Sequence, residues 1–208
     1  MIEKMKAGGV VLCGGKSTRM GTSKAWLEFG NEAMLQRIVR ILQQILDPIV
    51  VVKAAGQDIP DLPASIFVVE DFHPGLGPLA GIQCGLMKLN ELGVDCGFVT
   101  ACDAPLLNIK LVQRLTDLVA DHSEIVLLDE GKFQHVLCAA YRSSVGETAK
   151  HLIAENRMRP IFLTDEHPTR FVPIESVLDI DPSLDSLKNL NTKEDYDRAL
   201  LLLAETES

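Results

Sequence analysis

A chain of 208 residues, 47% of them hydrophobic, is long enough to bury a full core and short enough to form one domain, expected here over residues 1–208. Its 20 lysines and arginines face 29 aspartates and glutamates, and the formal net charge of -9, with no basic block to offset it, argues against non-specific nucleic-acid binding. Five cysteines (Cys13, Cys84, Cys96, Cys102, Cys138) without a C-x-x-C pair argue against a disulfide framework, zinc or redox chemistry, and read as buried thiols of a reducing compartment.

The N-terminal residues run from a few charges straight into a short apolar strand, too short for a signal segment, and no run reaches the roughly 20 apolar residues that span a bilayer. A soluble, cytoplasmic protein without membrane contact is expected. Val10 to Cys13 is the first predicted strand. Met34-Leu35, Ile38-Val39, Ile41-Leu42 and Ile45-Leu46 then recur at helical spacing, predicting a helix that Pro48 terminates. Ile49 to Lys53 and Ile66 to Val69 follow as strands, a helix opens at Pro78 and runs toward Leu89, and Gly97 to Ala101 is a further strand. These apolar runs read as parallel strands buried on both faces.

A third helix carries Leu111, Val112, Leu115, Leu118 and Val119. Glu124 to Leu128 and Val136 to Tyr141 read as strands around a polar turn, antiparallel to one another. Thr192-Lys193-Glu194-Asp195 looks like a helix N-terminus, followed by the stripe Tyr196, Ala199, Leu200 and Leu203, with the last five residues expected to fray. The alternation predicts an α/β, Rossmann-like fold: a mostly parallel sheet with helices on both faces.

The chemistry is concentrated in three loops that follow strands. The first is Gly14-Gly15-Lys16-Ser17-Thr18-Arg19-Met20-Gly21-Thr22-Ser23-Lys24. Glycines let backbone N–H groups approach phosphate oxygens, and Arg19 and Lys24 add charge, so a triphosphate cradle is expected. Gly15-Lys16-Ser17 imitates the end of a P-loop, G-x-x-x-x-G-K-[ST]. That motif needs a glycine five residues before Gly15, where Val10 stands inside the strand.

The second loop contains Asp71 and then Gly75-Leu76-Gly77-Pro78-Leu79-Ala80, which formally satisfies the dinucleotide fingerprint G-x-G-x-x-[GA], with Asp95 at the spacing of a ribose-binding acid. Against a dehydrogenase, five residues including Pro74 separate the strand from Gly75, and Asp95 precedes a strand instead of following one. The third is Thr100-Ala101-Cys102-Asp103-Ala104-Pro105-Leu106-Leu107, an acid at a strand end before a proline that stops the ladder. A carboxylate there suits Mg²⁺, which bridges one or two acids to substrate phosphates; a turn-capping Asp is the alternative.

Leu12-Cys13-Gly14-Gly15-Lys16-Ser17-Thr18-Arg19-Met20-Gly21-Thr22-Ser23-Lys24 resembles the L-A-G-G-x-S-x-R-M-G-x-D-K signature of molybdenum cofactor guanylyltransferases, within the nucleotide-diphospho-sugar transferase fold group. Gly77 to Gly81 resembles the family's G-P-L-A-G segment and Asp103, Pro105 and Leu106 its D-x-P-[LF] motif, so the likeness covers most of the chain. The resemblance implies a nucleotidyltransferase that moves GMP from GTP onto the phosphate of molybdopterin and releases pyrophosphate. It implies Mg²⁺ on Asp103, catalysis by Lys24, Arg19 and Asp103, and nucleotide contacts from Leu12, Cys13, Gly14, Gly15, Lys24, Asp71 and Asp103. Molybdoenzyme-maturation proteins are further partners in that picture.

Three positions depart from the pattern: Cys13 replaces the usual Ala, Ser23 the usual Asp, and Ala55 aligns where an Asn is common. A cytidylyltransferase or sugar- or polyol-phosphate nucleotidyltransferase is the nearest alternative; a non-catalytic nucleotide-binding partner of a molybdoenzyme is the next. Leu187 to Asp195 is similar to the family's N-x-N-T-x-E-D segment, with Asn191 or Thr192 serving either as a helix cap or near the acceptor. Trp26 reads equally as site lining or core anchor, and Lys150, Arg157 and Arg159 as a solvated helix end more than a basic lip for the acceptor.

Overall fold

The computed structural model describes residues 5–14, 23–71, 73, 75–120 and 122–206. In chain order the elements are β1 (Ala7–Leu12), β2 (Glu28–Phe29), β3 (Glu32–Ala33), α1 (Met34–Leu42), β4 (Ile49–Lys53), β5 (Phe67–Glu70), α2 (Pro78–Glu91) and β6 (Cys96–Ala101). They continue with α3 (Ile109–Asp117), β7 (Ile125–Asp129), β8 (Gln134–Arg142), α4 (Val145–Ala154), α5 (Leu163–Glu166), β9 (Thr169–Pro173) and α6 (Lys193–Thr206).

A seven-stranded sheet in the order β5-β4-β1-β6-β8-β7-β9 forms the centre. β1 pairs in parallel with β4 and β6, β4 with β5, and β7 with β9, while β8 runs antiparallel between β6 and β7. The mostly parallel α/β sheet expected from the alternation is therefore present, and β7 and β8 pair antiparallel as predicted. Successive residues of a strand face opposite sides. Val11 and Val51 accordingly join a core with Ile38 and Leu42 of α1 and Leu111 and Leu115 of α3. Val10 and Val50 join a second core with Leu86 and Leu89 of α2 and Ala149 and Leu152 of α4. Each fully buried Val or Leu contributes roughly 1.5–3 kcal/mol, so helix cover on both faces is what the valine-rich strands demand.

The approach of α2 to the sheet depends on missing side chains. A Cβ built on Gly85 would lie 2.2 Å from Val10 Cγ1, and one on Gly97 of β6 would lie 2.5 Å from Leu89 Cδ1. Among the described residues, no helix is long and apolar enough to cross a membrane.

Several boundaries differ from expectation. The first helix ends at Leu42, not near Pro48: Leu42 C=O accepts both the Ile45 and Leu46 N–H groups, and Asp47 N–H donates to Ala7 C=O, turning the chain into β4. β5 spans Phe67–Glu70 and is not buried on both faces, because it is an edge strand that leaves Phe67 and Val68 exposed. α3 stops at Asp117, and Val119 is buried from a loop. Residues 204–206, expected to fray, belong to α6, whose Ala199 and Leu203 pack on Phe29, Met34 and Leu190. The β2–β3 hairpin, α4 and β9 have no counterpart among the expected elements. All five cysteines are free and buried, as predicted.

Candidate active site

From β1 the chain moves to β4 and β5 on one side, and α2 then returns it to β6 on the other side of β1. In an open α/β sheet such a reversal of strand order leaves a crevice at the carboxyl ends of the strands. A cavity of about 630 Å³ opens there, a size that accommodates a small-molecule ligand. Leu12, Cys13 and Gly14 line it from the end of β1, and Ala101, Cys102 and Asp103 from the end of β6. Lys53, Ala54, Asp71, Gly77 and Gly81 line one side, Leu137 and Asn189 the other, and Ser23 and Lys24 complete it.

Each chemical group is placed by a local device. Cys102 N–H donates to Leu12 C=O at 3.0 Å, extending the β1–β6 ladder by one step before Pro105, so Asp103 projects from the sheet edge. Asp103 C=O accepts the Leu190 N–H at 2.9 Å, which ties the C-terminal segment to the same edge. Asp71 N–H donates to Lys53 C=O at 2.8 Å beyond β5, and its carboxylate accepts the His73 N–H at 2.8 Å. Gly77 has φ 87°, a conformation that favours glycine, and lets α2 start at Pro78 beside the cavity. With no side-chain cap at Gly77, the first N–H groups of α2 are left for an anionic ligand or water.

Lys24 Nζ donates to Asp103 Oδ2 at 2.6 Å and to Asn191 Oδ1 at 2.8 Å. The Lys24 and Asp103 side chains are only 19% and 14% exposed, so their hydrogen bond is charge-assisted and partly shielded from water. Asp103 Oδ1 is buried and has no partner among the described residues. Leaving such an atom unpaired costs about 1–3 kcal/mol, and a hard cation would relieve that cost. Among the described residues no group of three or more His, Cys, Asp and Glu could hold a metal. A divalent cation at Asp103 would therefore complete its shell with phosphate oxygens and water, as Mg²⁺ does.

Two thiols lie beneath this edge. The Cys102 thiol hydrogen-bonds to Cys13 and holds Cys13 below its ordinary thiol value; the same contact, with burial, raises Cys102 well above it. Burial pushes Cys96 up to about 11 and Cys138 up to about 12, which keeps both neutral and inert at physiological pH.

The dinucleotide fingerprint fails on geometry. Asp95 precedes β6 and accepts the Lys6 N–H, at the edge of the sheet opposite the cavity. The six residues of β6 separate the two edges by roughly 20 Å, so Asp95 cannot reach a ligand held by Gly75 and Gly77.

A family model, the MobA-like NTP transferase domain, matches residues 9–169. The chain belongs to the MobA-like NTP transferase family. This MobA-like chain is a nucleotidyltransferase. It is 34% identical over 203 residues to the probable molybdenum cofactor guanylyltransferase of Mycobacterium avium (strain 104), covering 96% of this chain and 98% of that one. It is 38% identical over 160 residues to the protein of the same name from Mycobacterium tuberculosis, covering 76% and 78%. Among solved structures, molybdopterin-guanine dinucleotide biosynthesis protein A from Archaeoglobus fulgidus matches with a TM-score of 0.77 at 18% identity, over 95% of this chain and 99% of that one. The 2-C-methyl-D-erythritol 4-phosphate cytidylyltransferase from Thermus thermophilus matches with a TM-score of 0.69 at 14% identity, over 96% and 100%. These two likenesses speak for the fold.

Of the residues singled out from sequence, the MobA-like fold brings Leu12, Cys13, Gly14, Lys24, Asp71 and Asp103 to one cavity. Gly15 and Arg19 lie outside the described residues. Asn191 and Thr192 divide the two roles left open for them. Thr192 Oγ1 accepts the Asp195 N–H while Asp195 accepts the Thr192 N–H, which caps α6; the Asn191 side chain instead reaches Lys24. Trp26 fits neither expectation: it is 43% exposed, does not line the cavity, and donates through Nε1 to Asp58 C=O. Ala55 is exposed in a turn, and Lys53 and Ala54 line the cavity instead. Arg157 pairs with Asp165 and Glu166, as suits a solvated surface more than an acceptor lip.

In the sequence Asn191 reads equally as a helix cap or as a residue near the acceptor, and its contact with Lys24, 167 positions away, comes only from the fold. Asn191→Ala removes one of the two acceptors that hold Lys24 among the described residues. Turnover is expected to fall about tenfold, the equivalent of roughly 1.4 kcal/mol, with the unfolding midpoint in urea nearly unchanged. Unaltered turnover would show that Asp103 alone orients the lysine.

Proposed function

We propose that the chain transfers the GMP moiety of GTP to the phosphate of molybdopterin, forming the guanine dinucleotide cofactor and releasing pyrophosphate. The observation that carries this reading is the Lys24–Asp103–Asn191 constellation at the crevice bordered by the carboxyl ends of β1 and β6. The names borne by relatives at 34–38% identity support guanine and molybdopterin as the substrates.

A phosphate oxygen of the acceptor attacks the α-phosphorus of GTP, and the bond from that phosphorus to the oxygen bridging to the β-phosphate breaks, releasing pyrophosphate. No general base is required, because a phosphate monoester is already largely ionised near neutral pH. Catalysis then rests on alignment and on charge stabilisation. The Lys24 ammonium, held by Asp103 and Asn191, has a third N–H direction with no partner among the described residues, which an α-phosphate oxygen takes in this reading. Backbone N–H groups after β1 and at the start of α2 bind further oxygens, and Arg19 holds the departing pyrophosphate. Asp103 fits Mg²⁺ through its unpartnered Oδ1. When bound, that ion supplies neutralisation of the phosphate charge.

The test is calorimetric titration of wild type and Asp103→Ala with GTP, CTP and ATP, each with and without Mg²⁺. Expected is at least tenfold tighter binding of GTP than of CTP or ATP, with a Mg²⁺ dependence that Asp103→Ala abolishes. Tighter binding of CTP would move the chain to the cytidylyltransferases of the same fold, and binding of no nucleotide would sink the proposal.

A further inference from the structure

Gln57 does not line the cavity, yet its side chain touches three segments that do. Its Nε2 donates to Cys13 C=O at 3.1 Å and lies 3.4 Å from Ser23 Oγ and 3.6 Å from Cys13 Sγ. Its Oε1 accepts the Ala54 N–H at 2.9 Å. The backbone is fixed as well: Gln57 N–H donates to Ala54 C=O at 3.0 Å, and Gln57 C=O accepts Lys53 Nζ at 2.9 Å. One amide thus connects the end of β1, the residue before Lys24 and the turn after β4.

The contact with Cys13 C=O bears on nucleotide binding. A trans peptide is planar, with its C=O and N–H pointing in opposite directions. Holding the Cys13 oxygen toward Gln57 therefore turns the N–H of Gly14 the other way. Gly14 lines the cavity, and its N–H has no partner among the described residues. A Cβ on Gly14 would stand 3.4 Å from the Ala54 nitrogen, an ordinary contact distance, so the two loops lie side by side and the Gln57 amide spans them.

We infer that Gln57 is a positioning residue for nucleotide binding: its amide locks the Cys13–Gly14 peptide so that the Gly14 N–H faces the cavity as a ready donor to a nucleotide oxygen. This rests on the nucleotidyl-transfer role proposed above. It assigns Gln57 a function through Gly14, with no contact of its own to substrate. A donor oriented before binding adds affinity because the ligand does not have to supply the ordering.

Two variants separate this role from simple loop bracing. Gln57→Glu keeps an oxygen for the Ala54 N–H but presents an acceptor to Cys13 C=O; Gln57→Met removes both contacts at similar length. Each is assayed by GTP calorimetry and by steady-state kinetics from pH 5 to 8, with urea unfolding as the check on folding. Expected in both is a rise of about tenfold in the Kd and KM for GTP, with kcat within about threefold of wild type. In Gln57→Glu that penalty shrinks toward pH 5, as the carboxyl begins to carry a proton it can donate; in Gln57→Met it does not. Wild-type affinity in Gln57→Glu, or a fall in kcat at unchanged KM, would overturn the inference. If wild type binds CTP instead of GTP, the guanine assignment fails and the same comparison is made with CTP, so the two failures are distinguishable.

Discussion

Lys24→Ala is expected to lower turnover by at least about a thousandfold while the protein stays folded. The loss of a preorganised donor aimed at developing charge removes a factor of about 10²–10³ by itself. Here the variant also leaves the Asp103 carboxylate, 14% exposed, without the ammonium 2.6 Å away, so the residual charge balance at the reaction centre is wrong as well. Asp103→Ala should be equally damaging by the complementary route. It releases Lys24 from the sheet edge and removes the only oxygen atom of the pair that is buried and unpartnered among the described residues. Because both side chains border a solvent-connected cavity and belong to no apolar cluster, the cost in stability is expected to stay near about 1–2 kcal/mol. Pyrophosphate release in a single turnover, measured beside circular dichroism and urea unfolding, checks both halves. A folded variant with full turnover at either position would remove Lys24 and Asp103 from the mechanism.

Gly85→Val is expected to produce the largest loss of stability of any single change considered, about 3 kcal/mol or more. The first added carbon would lie 2.2 Å from Val10 Cγ1, well inside contact distance, and Val10 is itself fully buried in the centre of the sheet. Neither partner can move aside: one is in the middle of α2, the other is in β1 between β4 and β6. Overpacking of this kind typically costs about 1–3 kcal/mol for added methylenes, and a branched side chain adds three carbons. Gly75→Ala is the contrast. That glycine has φ 91° with nothing among the described residues within 4 Å of an added Cβ, so the backbone strain dominates, about 1 kcal/mol. Displacing α2 moves Gly77, Pro78 and Gly81 away from the cavity they line, so Gly85→Val should weaken nucleotide binding as well as stability. Urea unfolding with nucleotide titration measures both, and an unchanged midpoint would contradict the packing described.

The legible parts of the fold are those whose signal is local. Ile49 to Lys53 is found at its expected bounds because a run of valines flanked by Pro48 and a polar turn has one compact solution. α2 begins at Pro78 as expected, since proline at the first helical position and glycine before it are a local stop and start. α4 is illegible for the opposite reason: its sequence, VGETAKHLIA, has a glycine in the first turn that only makes sense against its neighbour. A Cβ on Gly146 would lie 3.1 Å from the Met87 nitrogen of α2. β9 escapes a sequence reading because its residues are mostly exposed and its proline argues against a strand; it is tolerated as the outermost strand of the sheet.

The amino-acid sequence by itself determined the alternation of strands and helices, the placement of glycine-rich and acidic loops at strand ends, and the residue types needed to bind a triphosphate. Periodicity and backbone permissiveness act over a few residues and so can be read in order along the chain. The tertiary structure alone decided that β8 inserts between β6 and β7, that Asp95 stands at the wrong edge, and that Asn191 reaches Lys24. It also decided that Gln57 grips the carbonyl of Cys13 across 44 positions. Such contacts depend on which edges of the sheet meet after packing, and chain proximity carries no information about that.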